Sequence, residues 1–92
     1  MILKTKSGHI APHVHLNGTS KKELCDQNLE TIQKINKAVS ALQMMHPNAR
    51  DYYTQDQDAY NIASRQHKDR IERLTSVLAE LQEIAEHLID QK

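Results

Sequence analysis

Ninety-two residues carry 12 Lys plus Arg against 12 Asp plus Glu, and this balance offers nucleic acid or an acidic membrane no global field to answer. The apolar fraction is 38%, with no Phe or Trp and three Tyr; such a chain holds one domain, buries about 60% of its unfolded surface and lacks the aromatics for a thick core. The lone Cys25 excludes an intramolecular disulfide, and no apolar run makes a secretory leader or the ~20 residues of a membrane span, so the cytoplasm is the expected address.

Residues 1–19 read as an arm, because both glycines (Gly8, Gly18), Pro12 and the histidines His9, His13 and His15 lie there. From His9 to Leu16 the residues roughly alternate. Extended backbone would put Ile10, Val14 and Leu16 on one side and His9, His13 and His15 on the other. Pro12 lacks the N–H that a central strand needs, so the segment is expected to lie along the helices as extended chain.

Asn17-Gly18-Thr19 signals a turn, and Ser20-Lys21-Lys22-Glu23 has the Ser-x-x-Glu spacing of a capping box. A first helix over 20–46 follows, with Leu24, Leu29, Ile32, Ile35, Val39, Leu42 and Met45 recurring mostly at steps of three and four. Pro47 stops it, since the residue before proline avoids the helical region.

A link over 47–54 leads to Thr54-Gln55-Asp56-Gln57, whose spacing again fits a capping box, with Asp56 and Asp58 expected in the positively polarised first turn. The second helix is predicted over 55–90. Tyr60, His67, Ile71, Leu74, Leu78, Leu81, Ala85 and Leu88 form its seam, flanked by Ile62, Val77 and Ile84. One partner helix cannot cover so wide a stripe. The fold class is therefore all-α, an antiparallel pair of long helices with an extended N-terminal arm, expected to assemble with copies of itself into a helical homo-oligomer.

Four segments are candidates for chemistry. The first is Asn17, Gly18, Thr19, Ser20, Lys21 and Lys22: a helix start offers unpaired N–H groups and partial positive charge, and hydroxyls and ammonium groups suit a phosphate. An ordinary capped helix with solvated lysines has the same sequence. The second is the histidine arm, where His13 and His15 share one side of extended chain. They suit a nucleobase or phosphate better than zinc, whose structural sites show paired cysteines or a recognisable Cys/His constellation. The third is the link, in which Asn48, Arg50, Tyr52 and Tyr53 combine a bidentate cation with stacking surface; alternatively one tyrosine plugs the bundle end and Arg50 pairs with Asp51. The fourth is the basic first half of helix two, where His67 falls on the apolar seam and Arg70 follows one turn later. There His67 is either a core histidine or the lining of a pocket between subunits, and Asp69 is placed to pair with Arg65 or Arg73 at i,i+4.

No catalytic triad, carboxylate pair, phosphate-binding glycine loop or redox cysteine pair can be drawn from these spacings, so binding without turnover is expected and no cofactor is called for. The other reading that the residues allow is a helical-hairpin adaptor that docks on a host or phage protein through its apolar stripe.

The stretch Pro12-His13-Val14-His15-Leu16-Asn17-Gly18-Thr19-Ser20, with Asn48-Ala49-Arg50-Asp51-Tyr52-Tyr53 and the segment from His67 to Arg70, resembles the anti-CBASS cyclic-nucleotide sponges. These short phage proteins act against cyclic-oligonucleotide-based bacterial immunity, and the resemblance spans nearly the whole chain. It implies a compact helical homo-hexamer in the bacterial host cytoplasm that sequesters cyclic dinucleotides, and in members of the family cyclic trinucleotides, without cleaving them. A two-fold interface would offer each phosphate of a cyclic dinucleotide the same donors. Thr19 to Lys22 would then meet phosphate, a tyrosine or histidine would stack on a base, and Arg50 or Arg70 would clamp a phosphate where subunits meet.

Overall fold

Ser20 adopts extended backbone, and its hydroxyl oxygen accepts a hydrogen bond from the Glu23 N–H at 3.1 Å, so the chain turns helical at the next residue. The computed structural model describes residues 1–91. In it α1 runs over Lys21–Met44, a single 3-10 turn covers Ala49–Asp51, and α2 runs over Ala59–Asp90. The two helices pack on each other as a hairpin, and among the described residues no strand forms beyond one isolated antiparallel bridge, Lys4 with Ile10.

The seam on α2 is the expected one; on α1 the expected Leu29 and Met45 fall outside it and are exposed. On α2, His67, Leu78 and Leu88 are buried and Tyr60, Ile71, Leu74, Leu81 and Ala85 are half-buried; on α1, Val39 is buried between half-buried Ile32, Ile35 and Leu42. These positions share one helical face because steps of three and four return close to a full turn. Among the described residues only Ala11, Val39, Leu78 and Leu88 are buried apolar residues, and of these Leu88 alone is sealed completely. The molecule measures 62 × 22 × 17 Å with a radius of gyration of 18.7 Å, whereas a compact chain of this length would have about 12 Å. It is a rod one seam thick. Leu29, Ile62, Val77 and Ile89 therefore remain exposed beside the seam, with Met44 and Met45 at the end of α1.

Two expected boundaries are corrected. Helix one ends at Met44 rather than 46, closed by the Met45 N–H to the Leu42 carbonyl in a tightened last turn. Helix two begins at Ala59 rather than 55, with Asp58 at its N-cap, no side-chain capping bond and no acidic residue in its first turn. The Thr54 capping box does not open the helix because the backbone is spent on successive turns instead: Gln55 N–H donates to the Tyr52 carbonyl and Ala59 N–H to that of Asp56. These turns bring Tyr52 to 6.2 Å from the Tyr60 ring. An aromatic contact across the turn outweighs a local cap.

The arm also departs from the simple alternation. Thr5 and His9 exchange a tight turn, with Thr5 N–H to the His9 carbonyl at 2.8 Å and Gly8 N–H to the Thr5 carbonyl at 3.0 Å. Gly8 occupies φ +89°, which only glycine adopts readily. Thr5 and Ala11 are the buried residues and His9 is half-buried, while Ile10 is 61% and Leu16 98% exposed. Small Thr5 and Ala11 let backbone lie close on the helix. Beyond Pro12 the inward parity shifts by one, and Val14 becomes the half-buried residue.

The arm is fastened to the C-terminal half of α2. Ser7 Oγ donates to Glu83 Oε1 at 3.0 Å, and His9 Nδ1 lies 3.4 Å from the Glu80 carboxylate. The Gln91 amide uses both of its ends: Nε2 donates to the Pro12 carbonyl at 2.7 Å and Oε1 accepts from the Val14 N–H at 2.8 Å.

Because Leu88 is sealed and Leu16 is exposed, Leu88→Ala is expected to cost about 2–4 kcal/mol and Leu16→Ala less than about 0.5 kcal/mol, read by urea melts followed by circular dichroism. Gln91→Ala should release the arm: amide exchange at Val14 is expected to rise about tenfold, the loss of roughly one buried hydrogen bond, with exchange at mid-α1 unchanged.

Candidate functional site

The predicted site residues fall into two groups at opposite ends of the rod. Lys21 meets Ile89 and His46 meets His67, so the start of α1 lies beside the end of α2, and the link lies at the far end. Twenty-four residues of α1 separate them by about 36 Å. No single subunit can join them into one pocket.

At the arm end, a turn over Leu16–Gly18 precedes α1, and Gly18 N–H donates to the His15 carbonyl at 3.2 Å. The rings of His13 and His15 stack at 5.7 Å and 30°. A Cβ at Gly18 would come within 2.9 Å of His15 Nε2, so the space that the glycine opens is already taken by that imidazole. Ser20 is occupied by its cap. The Lys21 ammonium donates to the Ile89 carbonyl at 2.9 Å and to the Gln91 carbonyl, a cation on the negative end of the α2 dipole. Lys22 pairs with Asp26 at 2.7 Å, one turn along α1, and the hydrogen bond and charge of Asp26 raise its pKa. Asn17 and Thr19 are exposed. Within one subunit Lys21 holds the hairpin end together, Ser20 and Lys22 are engaged within α1, and Asn17 and Thr19 stay open.

At the link end, Asn48 Oδ1 accepts from Arg50 N–H at 3.0 Å and starts the 3-10 turn. Arg50 and Tyr53 are exposed, and Tyr52 is half-buried against Tyr60. Tyr52 thus rests on the first turn of α2 while Tyr53 faces out. Among the described residues no ion pair joins Arg50 to Asp51.

His67 is 5% exposed, with His46 edge-on to it at 5.9 Å. His46, Ser64, Arg65, His67, Lys68 and Ile71 line an open cleft of about 330 Å³. Both Ser64 Oγ and His67 Nε2 are buried there without a hydrogen-bond partner. Arg70 does not line this cleft. It lies with Arg65, Gln66, Asp69 and Arg73 around a second cleft of about 390 Å³, where Asp69 accepts from Arg73 Nε at 2.9 Å. Within one chain His67 and Arg70 do not share a cleft: positions 64, 67, 68 and 71 share a flank of α2 beside α1, and Arg70 is turned away from it. Asp69 takes Arg73 rather than Arg65.

Sequence reasoning passed over His46 and Ser64. Both carried a signal, since Ser64-His67-Ile71 and Val39-Leu42-His46 continue the seams at steps of three and four. Gln91 had none, because its amide serves the arm only through tertiary contact. Among the described residues, no three or more His, Cys, Asp or Glu side chains gather as metal ligands. Cys25 lies apart from the histidines, in an apolar groove with Leu29, Ile32, Ala85 and Ile89. No helix of the described residues is long and apolar enough to cross a membrane. No protein-family model, curated protein or solved structure matches the chain.

Proposed function

We propose that this protein binds and sequesters cyclic di- and trinucleotide second messengers without cleaving them, as a homo-oligomer in a bacterial host cytoplasm, and so blocks CBASS-type immunity. The ligand class comes from the resemblance to the anti-CBASS sponges. The observation that carries the reading is the separation of two polar ends on a rod that leaves apolar side chains exposed beside its seam. Copies packed antiparallel along the flank that Leu29 and Ile89 share would set Thr19 to Lys22 of one subunit near Asn48 to Tyr53 of another. A cyclic dinucleotide, with two phosphates and two bases, suits the repeated site that such symmetry makes. Lys21 and Lys22 would then trade their present partners for phosphate, and Arg50 or Arg70 would supply the bidentate contact.

One observation favours the second reading, a helical-hairpin adaptor. Exposed Leu29 and Ile89 share an apolar groove with Cys25, Ile32 and Ala85, and an amphipathic helix of a partner protein could cover that groove as well as a copy would.

Isothermal titration with a panel of cyclic di- and trinucleotides, with light scattering for oligomeric state, tests the proposal. Expected are tight binding, intact nucleotide recovered after heat denaturation, and a particle several times the 10.6 kDa subunit mass. Arg50→Lys should weaken binding about tenfold where the guanidinium is bidentate. A monomer that takes up none of the panel sinks this reading and leaves the adaptor.

A further inference from the structure

The cleft beside His67 is built differently from the rest of the surface. An imidazole nitrogen and a hydroxyl, one turn apart on α2, are both buried and both unpartnered, although buried polar groups in folded proteins nearly always find partners. The walls around them are the Ile71 side chain and the edge-on His46 ring. At the rim stand Arg65 and Lys68, both exposed, and among the described residues neither is in an ion pair.

These features specify a ligand chemistry. Apolar walls with an aromatic ring accept a flat molecule. Ser64 can donate or accept and His67 Nε2 does either according to its tautomer, so together they match a heteroaromatic edge of alternating donors and acceptors. Two unpaired cations at the rim match an anionic substituent on that ring. The volume, about 330 Å³, sits at the small end of the roughly 300–1,000 Å³ range of ligand sites. That suits one nucleotide unit and not an entire cyclic dinucleotide.

We infer that this cleft binds a single nucleotide unit, its base against His46 with its polar edge on His67 Nε2 and Ser64 Oγ, and its phosphate on Arg65 and Lys68. His46 is exposed, held through Nδ1 at 2.9 Å from the Pro47 carbonyl, and the proposed seat requires this ring to turn so that the ligand reaches the buried His67 nitrogen. The assignment deepens the nucleotide-binding reading and rests on it for the ligand class, but it needs only one subunit.

The test is an NMR titration of the full chain with AMP, GMP and UMP, with inorganic phosphate alone and with a cyclic dinucleotide, following the His46 and His67 ring signals. A mononucleotide is expected to move both signals, and inorganic phosphate to move neither. Ser64→Ala, and separately Arg65→Ala with Lys68→Ala, should weaken that response about tenfold with the fold intact by circular dichroism. Silent histidines at millimolar mononucleotide, or affinity unchanged in both variants, overturn the assignment. A cyclic dinucleotide that binds while every mononucleotide leaves His67 silent overturns it too and leaves sequestration standing. A mononucleotide seated at His67 with no uptake of cyclic dinucleotide supports the site and sinks sequestration.

Discussion

A hairpin of two helices has one apolar seam, and in this molecule that seam is the sole source of a core. Val39 on α1 meets the face of α2 that buries His67, Leu78 and Leu88, and each fully buried leucine contributes about 1.5–3 kcal/mol. Everything else is hung on this contact. The arm lies on α2, the link closes the far end, and neither has a core of its own. Thin layers of this kind keep apolar surface on the outside, which is why Leu29, Ile62, Val77 and Ile89 remain uncovered in a single chain.

The two ends of the seam are closed by different physics. Where α1 begins and α2 ends, polar groups make the closure: Lys21 caps the last carbonyls of α2, and Gln91 returns to the arm at Pro12 and Val14. This satisfies carbonyls that a helix end otherwise leaves to water. At the link, Tyr52 rests on Tyr60 and His46 on His67. α2, with 32 residues, outruns α1, with 24, so its first turns are covered only by the link. The unpartnered Ser64 and His67 lie at the edge of that thin cover.

Charge follows the same division. Lys22 with Asp26, Lys34 with Glu30 and Arg73 with Asp69 are exposed i,i+4 pairs, screened by solvent and weak. Arg65, Lys68 and Arg70 are in no ion pair among the described residues. A chain of zero net charge thereby carries unpaired cations on the half of α2 nearest the link.

Much of the fold was legible in the residues. Steps of three and four placed the seam on both helices, Ser20 marked the start of α1 with its own hydroxyl, and a short link between long apolar stripes required an antiparallel pair. Local signals failed where a tertiary contact competed with them. The Thr54 box lost to turns that seat Tyr52 on Tyr60, and the alternation of the arm lost to the need for small Thr5 and Ala11 against the helix. For the candidate site, sequence supplied the chemical types, histidine, arginine, lysine and hydroxyl, because types are what a sequence records. Which of them share a cleft was decided by the rotation of α2 about its axis and by the length of α1. Those set His67 beside Ser64 and His46, turned Arg70 away, and placed the Thr19 turn and the Asn48 link at opposite ends of the rod.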